Sequence, residues 1–487
     1  MSKSILMKNT IIILITSLIV KIIGMIGKIL STRILGLEGM NLYVLSYPTL
    51  LLFVSISGFS LNNSISKLVS EGIATKRYSP KKLLLTGIKI SLVISIICTV
   101  VYAFSIKYIS YNLLKNKNLY FPLLSGVILI PLVGTSDALR GYFNGLKKMS
   151  VASRSLFIEQ MFRTISSVLG VYFGIKHSLV LANCLLFVGL AIGEISSILY
   201  CLYIIKKEKL IHYENTKNET KILLKTSSSL TLSKIIGSIS YFLEPVIYTS
   251  ILVYLNYSTK EIHDAYTTID AYIIPLFTLA SFLPFALSTA IIPHISETYV
   301  KNDINGLHNY INKVYSYSIY PSMFCLIIIF FFNEEIMNLL YNTSIGIDII
   351  KNFSLIFIFY YINAITGSIL QAMGKIKTLF INSVLINLIR LILIVILSFI
   401  SNIGIYSIIY SIIITLIFST ITLFYILRKE TNFKLLPNTI IKFITFILFF
   451  ISLISLLNLL NIYYVKVVLI SGVIFILLFY SMLRKKL

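Results

Sequence analysis

The chain has 487 residues, of which 57% are hydrophobic and only 12% charged, against a usual charged share of roughly a quarter. No water-soluble core hides that much apolar surface, so the solvent this sequence suits is lipid. The net charge of +24 would suit nucleic acid, but the basic residues lie thinly between apolar runs with no basic domain or arm; that excludes a nucleic-acid binder and points to the Lys/Arg bias of membrane-protein loops.

The start, Met1 to Lys8, is short and basic. The apolar run after it, Thr10 to Leu30, is too long for a signal peptide and lacks a small-x-small cleavage site, so it reads as an uncleaved first helix. Lys21 sits at its centre and Lys28 follows seven residues later, almost two full turns, which puts both ammonium groups on one face. Gly24 and Gly27 thin the helix beside them, so that a neighbour or a ligand can come close. A mid-helix Lys costs about 2.5–3.5 kcal/mol on insertion scales. Either each Lys pairs with a carboxylate on another helix, or the two form a cationic face on a polar cavity; the second reading is favoured.

Further apolar runs follow at 42–70, 83–106, 119–140, 151–174 and 179–205. The polar stretch Lys206 to Lys225 is the longest candidate cytoplasmic loop. Runs at 226–255, 266–296, 312–332, 351–372, 379–401, 404–427, 439–460 and 463–483 bring the expected total to fourteen helices. Most loop cations fall on one side, among them Arg77, Lys82, Lys147, Lys148, Lys206, Lys377, Arg428 and Arg484-Lys485-Lys486. The other side holds Arg33, Lys107, Lys115, Lys117, Lys176, Lys260, Lys351 and Lys466. The bias predicts both termini in the cytoplasm of a plasma-membrane protein.

An internal repeat is visible. Phe59, Leu61, Ile65, Ser70 and Glu71 recur as Phe285, Leu287, Ile291, Ser296 and Glu297, 226 residues on. That offset spans six helices, which makes it a parallel repeat. The expected organisation is an N-lobe at 1–205, a linker at 206–225, a C-lobe at 226–427 and two added helices in 428–487. The four cysteines lack metal-ligand spacing and read as small buried hydrophobes.

Polar residues at depth are the functional pointers. Lys67 precedes Glu71 by four, and Glu159 precedes Arg163 by four; each reads as a local ion pair. Glu194 lies mid-helix and reads as a partner for a basic residue or a protonated acid. Asp137 and Arg140 read as loop anchors. Lys234 and Glu244 share a helix in which Pro245 predicts a bend or break. Pro275, Pro284 and Pro293 punctuate the next helix, whose outer end carries Asp270. Arg390 sits mid-helix and needs a partner. No P-loop appears, and no acidic pair or His cluster is arranged for metal chemistry. A transporter without cofactor or metal is expected, not an enzyme.

The strings Arg33-Ile34-Leu35-Gly36, Ser70-Glu71, Leu139-Arg140-Gly141-Tyr142-Phe143-Asn144-Gly145, Ile158-Glu159-Gln160 with Arg163, and Leu287 to Glu297 with Ile292-Pro293 carry a resemblance over essentially the whole chain. In that order they resemble the multidrug/oligosaccharidyl-lipid/polysaccharide flippase superfamily, and within it the stage V sporulation protein B family of polysaccharide biosynthesis proteins. The resemblance implies two lobes in a V around a central cavity and alternating access. It implies a lipid-linked saccharide as substrate, first of all undecaprenyl-diphosphate-linked lipid II for wall or spore cortex. Related MviN-type lipid II flippases use basic residues in helices one, two and eight. Lys21 matches one of these and Arg33 a later one, whereas Gly27, with Lys28 beside it, and Asp270-Ala271 stand where that group carries arginines. These departures favour the sporulation-type branch.

A diphosphate crosses hydrocarbon only if cations are offered in a wet cleft. Lys21, Lys28, Arg33, Lys67 and Lys234 are the headgroup candidates; Glu194, Glu244 and Asp270 are the coupling or gating candidates. Expected partners are a lipid-linked oligosaccharide, anionic membrane lipids and wall-synthesis proteins. The alternatives are a drug or organic-cation antiporter of the same superfamily, or export of another lipid-linked polysaccharide unit. An antiporter for cations calls for cavity carboxylates, and this chain has more lysines at depth. A wall-assembly enzyme would need an acidic outer loop richer than Glu334-Glu335.

Overall fold

The computed structural model describes residues 3–208, 210–214, 218–281, 294–401 and 403–433. These are almost entirely helical, with no strand among them, as lipid requires of a chain that must satisfy every backbone N–H and C=O internally. The helices are α1 (Lys3–Gly58), α2 (Leu61–Thr75), α3 (Pro80–Tyr108), α4 (Tyr120–Gly126), α5 (Leu129–Gly145), α6 (Met149–Gly174), α7 (Leu179–Lys207), α8 (Glu219–Tyr254), α9 (Thr259–Thr267) and α10 (Ile274–Thr278). They continue as α11 (Ile304–Phe331), α12 (Asn333–Tyr341), α13 (Ile347–Phe353), α14 (Ile358–Ala372), α15 (Ile376–Ser398) and α16 (Ser407–Thr431). Nine spans among the described residues are long and apolar enough to cross a membrane. Of the fourteen expected helices, 439–460 and 463–483 lie outside the described residues. So do Pro284, Pro293 and the repeat positions Phe285, Leu287 and Ile291.

Local chemistry sets the ends. Pro80 starts α3, where its missing N–H costs nothing. The Ser178 side chain accepts from Leu181 N at 3.0 Å to cap α7. Ser258 and Glu261 form a capping box on α9. Outward faces are apolar: Val93, Ile96, Ile97, Val100 and Phe104 on α3 are all exposed, a stripe suited to acyl chains.

Sequence and structure differ at the breaks. The first two predicted helices form one run, α1, broken by Gly36 at φ 61°, ψ −170°. That backbone conformation is essentially confined to glycine. A Cβ there would meet nothing within 4 Å, so backbone strain alone opposes substitution. Gly36→Ala is expected to cost about 1–3 kcal/mol, read as a lowered melting temperature of detergent-solubilised protein. The predicted second helix is divided again by Phe59 and Ser60, at φ 44° and 47°. By contrast, α8 runs unbroken through Pro245; a proline removes one hydrogen bond, and the helix continues on either side. Of the three prolines expected to punctuate the following helix, only Pro275 lies among the described residues; it stands in the first turn of α10, after a π-helical segment Thr268–Ile273.

Two compact units are formed: Met1–Tyr272 with Ser383–Ser411, and Ile273–Asn382 with the stretch beginning at Ile412. The first holds a core of Leu61, Ile65, Val69, Leu83, Leu139 and Phe143. The second holds one of Leu307, Ile311, Tyr315, Ile369, Leu427 and Phe433.

Candidate functional site

Inside the first unit lies a cavity of roughly 430 Å³ between α1, α5, α6 and α7. From α1 it receives Lys28, Ser31, Thr32, Met40, Tyr43 and Tyr47. Gly24 and Gly27 let α6 come close: an added Cβ would lie 3.1 Å from the Gln160 amide nitrogen and 2.7 Å from the Thr164 methyl. The close approach expected at these glycines is thus made by α6. Gln160, Arg163 and Thr164 from α6 and Glu194 from α7 complete the polar wall.

Behind that wall is a buried charge network. Arg140 Nη1 pairs with Glu159, and Arg140 Nη2 lies 2.8 Å from Ser136 Oγ, 3.4 Å from Asp137 and 3.7 Å from Glu194. Arg163 pairs with Glu159 and reaches Glu194 at 2.8 Å. The Ser136 hydroxyl donates to Glu194 at 2.5 Å. Three helices converge here because α7 is small where it meets α6. A Cβ on Gly193 would sit 2.6 Å from Arg163 Cβ, and one on Gly189 2.5 Å from the Ser167 nitrogen. Buried charges need such multiple partners, since each lost water shell costs several kcal/mol. Arg163 Nε is buried with no hydrogen-bond partner among the described residues.

The predicted residues are distributed as follows. Lys28 lines the cavity and makes no ion pair among the described residues. Asp270, in the π-helical segment, lies close to Tyr241 and in the field of Lys28. Glu194 is buried on the cavity wall, held by Arg163 and Arg140. Lys21, Arg33, Lys67 and Lys234 are exposed and are not among the residues lining this cavity. Glu244 is buried with Arg390 Nη1 at 3.7 Å, which supplies the partner Arg390 called for. Asp137 and Arg140, read from sequence as loop anchors, belong to the network instead. The i, i+4 pair Glu159–Arg163 is present, and it is part of the same network. Arg163 and Gln160 were not among the predicted site residues; the α6 carboxylate–arginine spacing was the signal for them.

Residues 6–299 match the family described as Polysaccharide biosynthesis protein. The chain belongs to that family. Among its relatives is stage V sporulation protein B of Bacillus subtilis (strain 168), 27% identical over 453 residues, covering 90% of this chain and 86% of the relative. The family fold is seen in solved structures. A lipid II flippase, MurJ, in an inward closed conformation, matches with a TM-score of 0.60 at 16% identity, over 97% of this chain and all of that one. An inward-facing multidrug resistance MATE family transporter matches at 0.68 and 12% identity, over 84% and 94%. The chain is thus a multi-pass membrane member of the polysaccharide biosynthesis family, with the fold seen in those two transporters.

Proposed function

We propose that the protein is a flippase for an undecaprenyl-diphosphate-linked saccharide, moved from the inner to the outer leaflet of the plasma membrane by alternating access, with both termini cytoplasmic. The observation that carries this reading is the charge state of the cavity wall. The Glu194 carboxylate is already held by two guanidinium groups, whereas Lys28, on the cavity wall, makes no ion pair among the described residues. An anion therefore finds an unspent cation there, whereas the Glu194 carboxylate that an organic cation would seek is already engaged. That contrast disfavours the drug antiporter.

In this reading the diphosphate takes Lys28 as its main contact, with Arg163 behind it. The polyprenyl tail stays in lipid. Lys21, about 10 Å along the helix axis from Lys28, gathers the headgroup on approach; Arg33, Lys67 and Lys234 serve the rest of the route. Asp270 competes with the phosphate for Lys28 and so acts as a gate, and Glu194 and Glu244 hold the arginines in place. The two halves 1–205 and 226–427 would be the lobes that rock. Likeness to a lipid II flippase and to stage V sporulation protein B supports lipid II, for wall or spore cortex, as the first saccharide to test. A membrane potential contributes about 2.3 kcal/mol per charge per 100 mV to moving such an anion.

Depletion of the protein in its host is expected to accumulate lipid-linked precursor on the inner leaflet, measured by its accessibility to an externally added enzyme. Unchanged precursor with altered tolerance to cationic drugs would assign the antiporter instead.

A further inference from the structure

A second cavity, of roughly 560 Å³, lies in the same unit beyond the Gly36 break. It is lined by Glu38, Asn41 and Leu42 of α1, residues 115–118 of the loop before α4, the start of α7, and Thr259, Lys260 and His263 of α9. The two cavities use opposite faces of one helical segment: Met40, Tyr43 and Tyr47 face the first, and Glu38, Asn41 and Leu42 the second.

Its floor is a built polar site. Asn41 is only 8% exposed. Its amide donates to Asp264 Oδ1 at 2.7 Å, and since a carboxylate only accepts, that bond fixes which end of the amide is nitrogen. The carbonyl Oδ1 of Asn41 is then buried with no partner among the described residues. An unpaired buried acceptor costs about 1–3 kcal/mol, which a hydroxyl or N–H donor from a ligand would offset. His263, 4% exposed, has its Nε2 3.0 Å from the Leu114 carbonyl and so pins the loop that brings in Lys115, Asn116, Lys117 and Asn118. Lys260 is spent on Glu38 at 2.9 Å. Lys117 stands over the Tyr111 ring at 5.7 Å, and Lys115 is presented by a left-handed turn, φ 51°.

Amide groups that exchange hydrogen bonds with hydroxyls, beside lysines that attract negative charge, suit one class of ligand. We propose that this pocket binds the sugar portion of an acidic saccharide, as a subsite separate from the cavity that holds the diphosphate. The assignment of a saccharide rests on the transport reading above. The Lys/Arg distribution puts this pocket on the outer side, where a delivered headgroup emerges. An occupied outer pocket then loads the same α1 segment that lines the inner cavity.

The test uses full-length protein in detergent, with a water-soluble disaccharide containing glucuronic acid and its neutral glucose counterpart as probes, by titration calorimetry. The acidic disaccharide is expected to bind more tightly than the neutral one. Lys115→Gln with Lys117→Gln should weaken the acidic probe by about tenfold, the worth of one charge-assisted hydrogen bond, and leave the neutral one unchanged. Asn41→Leu should weaken both. Should that variant fail to fold, the lysine pair decides, since both side chains lie on a surface loop. Equal binding of both probes, or wild-type binding of the acidic probe by the lysine double variant, overturns the proposal. The two readings also fail separately. Acidic-disaccharide binding without lipid-linked saccharide translocation in vesicles supports the outer pocket while removing the flippase reading; translocation without any disaccharide binding removes the outer pocket alone.

Discussion

Arg140→Ala is expected to destabilise the first unit by roughly 3–5 kcal/mol, the usual cost of breaking a buried ion pair from one side. Arg140 holds Glu159, Glu194, Asp137 and the Ser136 hydroxyl together. Without it, Arg163 alone must balance two buried carboxylates, and one of them is left charged in a low-dielectric interior or must take up a proton. Thermal unfolding in detergent, followed by tryptophan-free near-ultraviolet circular dichroism of the tyrosines, should show a large drop in melting temperature. Combining Arg140→Ala with Glu159→Gln removes one orphaned charge, so the double variant should lose less than the sum of the single losses. A single variant that melts like the wild type would show that the network is not what holds α5, α6 and α7 together.

The second large effect is expected at Lys28. Lys28→Ala removes a charge-assisted contact worth about 1.5–3 kcal/mol, so translocation should fall by about 10–100-fold. Abundance and melting temperature should hold, because Lys28 makes no ion pair among the described residues whose loss would leave a buried charge. Lys28→Arg keeps the charge and should restore most of the rate. Complementation of a depleted host, with membrane abundance measured alongside, separates loss of grip from loss of protein.

Hydropathy made the membrane class and most helix positions legible, because lipid permits few alternatives to a long apolar helix. The glycines at 24 and 27 announced a close neighbour, since a missing Cβ is useful in a helix only where something fills the space. Local spacing likewise revealed Glu159 and Arg163 as a pair. It did not reveal that Arg140 and Glu194 complete a four-residue knot. An i, i+4 rule sees one helix, whereas this contact joins three helices through packing that depends on Gly189 and Gly193. The Glu244–Arg390 pair was hidden for the same reason, being separated by well over a hundred residues. Gly36 was visible as a glycine within a helical pattern, but nothing local gave the sign of its φ. Lys21 and Lys28 share a face by arithmetic; how far along the axis the cavity extends is set by α6 and α7, and it reaches Lys28. The orphaned carbonyl of Asn41 depends on a single bond to Asp264, 223 positions away, which no pattern in the sequence announces.

The most direct measurement is the rate at which purified protein in lipid vesicles moves a fluorescent undecaprenyl-diphosphate disaccharide between leaflets, for wild type, Lys28→Ala and Lys28→Arg. The account predicts rapid movement by wild type, about 10–100-fold slower movement by the alanine variant and near wild-type movement by the arginine variant. Equal rates for wild type and Lys28→Ala, with both proteins inserted and folded, would contradict it.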